Sequence, residues 1–266
     1  MSNTAKKFGK VADTKIVQGV RLQKYLSIIG FCSRRSAELL IKANKVMVNG
    51  CEAQLGLRVK NGDVIKIADD LRCKVELIRR KTRVLIFNKP TGKICSKVSD
   101  QKFESIHKYF PPIKEGSWIT VGRLDVNTSG LLLLTNDGDF ASQLSHPSSN
   151  IDREYLVRVY GRRQEQAVDR LKNGILVGSN KYKFLDIRKG RANGQNRWYT
   201  CVLQSGKYRE VRRAWESQGL HVSRLKRVRY GNILLPADLS QGKTVEIGGR
   251  LLSELFDLVD YSGYEN

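Results

Sequence analysis

Residues 121–138, VGRLDVNTSGLLLLTNDG, set Gly, Asp, Asn, Thr, Ser and Gly between two apolar stretches. Both stretches are too short to cross a membrane and too apolar for a surface, so they read as buried strands joined by a polar turn. A fold that accommodates them needs a sheet with this turn at its end. Gly122 and Gly130 are expected to loosen the backbone, and Asn127 to Ser129 to bond the loop to itself. Asp125, held in such a turn by a stiff apolar frame, is a candidate for chemistry.

The rest of the chain supplies strands and helices in mixed order. RLQKYLSIIG places Leu22, Tyr25, Leu26 and Ile29 at helical spacing, with Gly30 as the stop. Ser33 can cap a second helix, SRRSAELLIKAN, whose apolar face is Ala37, Leu40 and Ile41. KVMVNG and GDVIKI read as short strands, the first ending in an Asn-Gly turn. This unit ends near residue 78, and RRKTR at 79–83 reads as a linker; residues 1–20, polar and Lys-rich, read as a disordered basic arm. Residues 84–260 open with the buried-type strand VLIFNKP. FASQLSHP reads as a short helix capped by Asp139, REYLVRVYG as an alternating strand, and QEQAVDRLKNG as a helix. WYTCVLQSG, the amphipathic helix KYREVRRAWESQG, the strand HVSRLKRVRYG and the helix LLSELFDLV complete the pattern. Strands outnumber helices and many neighbours are hairpin-like, which predicts an α+β fold with a mixed, mostly antiparallel sheet.

Lys and Arg total 48 against 26 acidic residues, a net charge of +22 that points to a polyanionic partner, nucleic acid before membrane. Eight basic side chains crowd residues 206–230, interleaved with Tyr208, Trp215 and Tyr230, a pattern that suits phosphates and bases. Arg34 and Arg35 open a helix, where free N–H groups and guanidinium groups together can grip phosphate. Five widely spaced cysteines read as buried reduced thiols of a cytoplasmic protein. Three isolated histidines, the absence of a Cys/His cluster and the absence of a glycine-rich phosphate loop predict neither metal nor nucleotide cofactor. No apolar stretch reaches 18 residues and no secretory leader pattern is present, so no membrane association is expected.

Several motifs carry a family resemblance. Residues 21–67 resemble the S4 RNA-binding domain, including the Ser-Arg-Arg helix start and the VMVNG strand. NKPTG at 88–92, GRLDVNTSGLLLLTNDG at 122–138, REYLVRV at 153–159 and GKYREVRRAWESQGLHVSRLKRVRYG at 206–231 resemble the RsuA/RluB-type pseudouridine synthases. The resemblance is strongest to the RluB group, which acts on large-subunit ribosomal RNA. It implies a 21–78 S4 domain and an 84–260 catalytic domain that isomerises a uridine in 23S rRNA, in a stem-loop, as a monomer without cofactor or metal. By position in the motifs, Asp125 is the nucleophile that attacks a flipped-out nucleotide, and Tyr155 stacks on the uracil. Arg212 is the candidate ion-pair partner of Asp125, with Arg209 and Arg213 on the same helix face as a shared patch. Arg123, expected on the strand face opposite Asp125, is implied to fill the gap left by the flipped base, and Leu225 to pack against it. Lys89 and Pro90 are first of all structural, with Lys89 a further RNA-binding candidate. A small-subunit rRNA target and a non-catalytic S4-type RNA-binding or assembly protein are the alternatives. A glycosidase-like hydrolase would need a second carboxyl group, with Asp137 and Asp139 the nearest.

Overall fold

A computed structural model describes residues 19–68, 71–77, 81–97, 99, 101–114 and 116–262. Residues 1–18 of the expected arm, residue 78 of the first domain and residues 79 and 80 of the expected linker lie outside the described residues. The chain divides into two compact units, one running to Arg79 with Lys114–Ser117, the other of Arg80–Ile113 with Trp118–Asn266.

In the first unit, α1 (Leu22–Ile28) buries Leu22, Tyr25 and Leu26, and Gly30 terminates it with φ +80°. α2 (Arg34–Lys42) starts where the Ser33 hydroxyl accepts from the Ser36 N–H at 3.0 Å, and it buries Ala37 and Ile41. The sheet consists of β1 (Val46–Val48), β2 (Cys51–Glu52), β3 (Val64–Ile67) and β4 (Leu71–Lys74), in the order β2-β1-β3-β4. Asn49 and Gly50 both take positive φ, as a two-residue hairpin turn between β1 and β2 requires. The alternating apolar residues of β1 and β3 close a core against the two helices.

The second unit is built on one large sheet. Its principal strands are β5 (Val84–Lys89), β6 (Ile119–Thr120), β7 (Ser129–Thr135), β8 (Arg153–Tyr160), β9 (Asp186–Asn193), β10 (Asn196–Leu203), β11 (His221–Tyr230) and β12 (Thr244–Ile247). Their order is β9-β10-β8-β11-β7-β5-β12, with β6 paired to β7. β7 and β11 pair in parallel and the other neighbours antiparallel, the mixed, mostly antiparallel α+β arrangement expected. β5 and β7 are buried on both faces, which explains their unbroken apolar sequences. One face packs Leu85, Phe87, Leu132 and Leu134 into a core shared with α4 (Gln164–Asn173) and α5 (Glu210–Glu216). The other face packs Val84, Ile86, Leu131 and Leu133 under α3 (Gly138–Ser145) and α6 (Gly249–Asp257).

Four local expectations are corrected. The cap of α3 is Asp137, whose carboxylate accepts from the Asp139 and Phe140 N–H groups, so Asp139 lies inside the first turn. Thr82 and Arg83 are bonded into the second unit rather than linking freely: the Thr82 hydroxyl donates to Asp137, and the Arg83 guanidinium donates to both Glu246 oxygens. Helix α5 covers only seven residues, because Arg209 at φ +50° ends the preceding loop. Among the five thiols, all free, Cys201 is buried but Cys51 is exposed.

Candidate active site

The segment 121–128 is the connection between β6 and β7, and Asp125 lies in it with its backbone in a tight turn closed by the Thr128 N–H on the Asp125 carbonyl at 3.0 Å. The turn is a polar connection between strands, as its composition implies. Its stability comes from outside itself. The Lys89 side chain, at the end of β5, is completely buried and points its ammonium at the loop. Nζ donates to the carbonyls of Pro90 at 2.9 Å, Asp125 at 3.2 Å and Thr128 at 3.0 Å, with Val126 at 3.5 Å. From the other side Arg212 of α5 donates to the Asn127 carbonyl at 2.8 Å and to the Val222 carbonyl at 2.7 Å. Two buried cations thus hold the backbone carbonyls of the turn from Asp125 to Thr128, while no described residue donates a hydrogen bond to the Asp125 carboxylate. That carboxylate opens into a cleft of about 740 Å³.

The cleft's other walls come from the sheet. Tyr155 of β8 and Leu225 of β11 are nearly buried and face it, with Leu203 of β10 beside them. Arg153 and Arg227 flank the Tyr230 ring, each guanidinium 5.1 Å from the ring centroid. Tyr230 donates its hydroxyl to the Leu144 carbonyl at 2.7 Å and accepts from Arg153 at 3.3 Å. Arg227 Nε donates to the Leu131 carbonyl at 2.7 Å, tying β11 to β7 just past the Asp125 turn, and its Nη2 has no partner. Cys95 meets the loop at Leu124, with its Sγ 3.3 Å from the carbonyl oxygen and 3.5 Å from the amide nitrogen.

Gly130 holds the loop to the sheet. Its φ is +100°, and a Cβ there would lie 2.2 Å from the Arg227 carbonyl oxygen. It permits the close parallel approach of β7 and β11 and does not loosen the turn as expected.

Burial dominates the electrostatics. It pushes the Lys89 ammonium from the ordinary 10.5 down to about 8, with electrostatic interaction with Cys95 and Asp125 pulling the other way. Burial, reinforced by Arg209, lowers Arg212, and Asp125 again opposes the shift. Burial raises Cys95 and Glu210.

The structure gathers Asp125, Tyr155, Arg123, Leu225 and Arg209 around one cleft. Arg123 lies in the loop rather than on a strand, so it faces the same cleft as Asp125 instead of an opposite face. The expected ion pair between Arg212 and Asp125 is not among the described contacts; the guanidinium is engaged by two carbonyls, and its Nε is buried without a partner. Arg209, Arg212 and Arg213 do not share a patch, because Arg209 precedes the helix, Arg212 is buried and Arg213 is exposed. Lys89 is too buried to reach RNA; its role is to hold the loop. Arg34 and Arg35 are exposed at the start of α2, in the first unit.

Four residues of the site escaped sequence reasoning. Arg153, Arg227 and Cys95 carried no local signal apart from lying in or near the motifs. Glu210, a second carboxyl on the cleft wall, is 4 % exposed and accepts from the Ser205 hydroxyl at 2.5 Å and the Lys207 N–H at 3.1 Å. It braces its own loop. Asp137, one of the two carboxyls weighed for a hydrolase with Asp139, is occupied as a helix cap and by the Thr82 and Tyr261 hydroxyls.

A clamped aspartate with an open carboxylate, facing an aromatic and an apolar wall, defines a site for a flat base. Comparison with known proteins gives the class. Residues 83–217 match the family profile described as RNA pseudouridylate synthase, and residues 20–65 match the S4 domain. The chain is 45% identical over 240 residues to a ribosomal large subunit pseudouridine synthase B of Pseudomonas aeruginosa, with 89% of this chain and 62% of the relative covered. A protein of the same name from Vibrio cholerae is 41% identical, with 90% and 75% covered. One from Xylella fastidiosa is 41% identical over 85% of this chain, which there spans 48% of the relative. The chain therefore spans about half to two thirds of the length of several relatives it matches. A crystal structure of a pseudouridylate synthase superposes with a TM-score of 0.59 at 25% identity, over 90% of this chain and all of that one. The chain belongs to the RNA pseudouridylate synthase family and carries an S4 domain at its N-terminal side.

Proposed function

We propose that this protein isomerises a uridine of large-subunit ribosomal RNA to pseudouridine, with Asp125 as the nucleophile. The observation that carries the reading is the Asp125 turn: its backbone is clamped by Lys89 and Arg212 and its carboxylate is left without a donor in the cleft. A carboxylate so placed is a nucleophile whose geometry is fixed before substrate arrives. The names of relatives at 41–45% identity point to the large subunit as the source of the RNA.

The target nucleotide leaves its stack and enters the cleft, where Tyr155 stacks on the uracil and Leu225 packs against it. Asp125 attacks the nucleotide at ribose C1′ or at uracil C6. On either course the N1–C1′ bond breaks, the base turns, a C5–C1′ bond forms, the bond to Asp125 is released to regenerate the carboxylate, and the proton lost from C5 is matched by one gained at N1. Atoms are conserved, so the reaction needs no co-reactant. The Tyr155 hydroxyl, to which no described side chain is bonded, helps carry the C5 proton in this reading. Arg123 fills the space vacated in the RNA. Arg34 and Arg35, at a capped helix start, bind phosphate from the S4 domain, Arg209 binds phosphate at the cleft, and Arg213 binds phosphate from the exposed side of α5. The division into an 84–260 catalytic domain and a 21–78 RNA-binding domain, a monomeric state and a cytoplasmic location complete the proposal.

The test is Asp125→Asn, assayed by tritium release from C5-labelled uridine in large-subunit rRNA transcripts. Release should fall below one part in a thousand of wild type while the fold, read by circular dichroism, is retained. Undiminished release in the variant would remove Asp125 from the mechanism. Free uracil in place of a mass-silent isomer would remove the isomerase reading altogether.

A further inference from the structure

The large sheet is covered unevenly. α3 and α6 cover the face formed by Val84, Ile86, Leu131 and Leu133, but neither is packed on the continuation of that face across β11, β8 and β10, whose side chains are half-buried to exposed. Strand alternation puts Tyr155, Val157 and Leu225 on the cleft side and sends Leu156, Arg158, Arg224 and Lys226 to the opposite side. All four of these are at least partly exposed, and none lines the cleft.

Across this open face one row runs Trp198–Arg158–Arg224, and the next runs Thr200–Leu156–Lys226. Arg158 and Arg224 stand directly opposite each other, an arrangement that costs stability for like charges. Two register shifts bracket these rows, between Glu154 and Tyr155 and between Arg158 and Val159. Such irregularities re-aim side chains and are built into a fold for a purpose. The carboxylates nearby are occupied: Glu154 holds Arg229 at 3.0 Å, and Asp186 holds Arg188 at 2.7 Å. Among the described residues no carboxylate lies within ion-pair distance of Arg158, Arg224 or Lys226.

We propose that this face is a second RNA-binding surface, on which Arg158, Arg224 and Lys226 take phosphates of an rRNA segment other than the one that enters the cleft. This rests on the reading that the protein acts on RNA. The charge fits a polyanion, and the row offers Trp198 beside Arg158 for a base or sugar. An added peptide strand would need the free N–H and C=O groups of a sheet edge, whereas this surface is the face of interior strands and presents side chains alone. Because it lies on the far side of the sheet from Asp125, a short stem-loop seated in the cleft does not reach it. A folded rRNA that wraps the unit does.

The experiment compares wild type with R158Q/R224Q/K226Q, and with the charge-keeping R158K/R224K, on a whole large-subunit rRNA transcript and on the shortest stem-loop fragment that wild type modifies. On the long RNA the triple variant should bind about tenfold or more weakly near physiological salt. Its log-affinity against log-salt slope should flatten by about 2, from roughly 0.7–0.9 per lost phosphate contact. R158K/R224K should bind within about twofold of wild type, which separates charge loss from misfolding. On the stem-loop, affinity and single-turnover pseudouridine formation should be unchanged. Unchanged affinity and slope on the long RNA would overturn the proposal and leave an acidic protein as the partner of this face; equal loss on both RNAs would overturn it as well. A wild type that binds but forms no pseudouridine would sink the proposed activity alone, since the binding measurements still decide this surface.

Discussion

Burying an ammonium among backbone carbonyls gives Lys89 a titration of its own. In the fold it loses its proton near pH 8, and in the unfolded chain near 10.5. Between these values the unfolded chain binds the extra proton, so the stability linked to this residue is greatest above 10.5 and is lost as pH falls through 8. In urea unfolding from pH 7.5 to 10.5, wild type should therefore gain on Lys89→Met as pH rises. A flat difference would mean that Lys89 is not buried as described. The same residue shows why the site was only partly legible. Asp125, Tyr155 and Leu225 sit in distinctive motifs, and it is the family resemblance, not residue type alone, that marks them as the expected nucleophile, stacking ring and apolar wall. Lys89, Arg153, Arg212 and Arg227 are cations in a chain of net charge +22, and sequence gives no means of telling a buried cation from a solvated one. Their partners are mainly carbonyl oxygens, which leave no trace in residue identity.

At the level of elements, the parallel pairing of β7 with β11 connects the fold to the site, and Gly130 is its pivot. Gly130→Ala meets both a positive φ and a carbonyl oxygen at 2.2 Å, and that oxygen belongs to backbone that cannot move without disturbing Arg227. A loss of about 3 kcal/mol or more is expected, as for other cases where backbone strain and overpacking combine. Gly122→Ala shares the positive φ, but its Cβ would meet open space, so only about 1–2 kcal/mol is expected. Equal losses in chemical denaturation would show that close approach plays no part. Glycine's presence was plain in the sequence, but its reason was not, because a strand glycine and a turn glycine look alike one residue from a turn. Strands with clean alternation, such as β8, and capped helices, such as α2, were legible. β9 was not: Asp186–Asn193 is exposed over most of its length and lacks the apolar period that marks a strand. Helix α5 was read too long, because the basic loop before it continues the helical spacing while Arg209 breaks the backbone.

For the whole molecule, the question raised by the proposed function is how the Asp125 cleft would select a uridine among many. On the proposed function, stacking on Tyr155 and contact with Leu225 would recognise a flat base and discriminate little between uridines. Selection must come from RNA structure read at a distance from Asp125, by shape and phosphate position. The S4 domain, the basic groups beside the cleft and the open sheet face would each constrain a different segment, so few rRNA sites can satisfy all of them together. Mapping pseudouridines in both rRNAs, in cells with and without this protein, should therefore show the loss of one or very few large-subunit positions. Re-expressing wild type should restore them, and Asp125→Asn should not. Loss of sites scattered through both subunits would mean that recognition is local to the cleft, and an unchanged large-subunit map would exclude the proposed substrate. Charge reversal in the S4 domain should lower modification at the same positions without creating new ones, because removing a distant grip weakens the correct complex and supplies no alternative geometry.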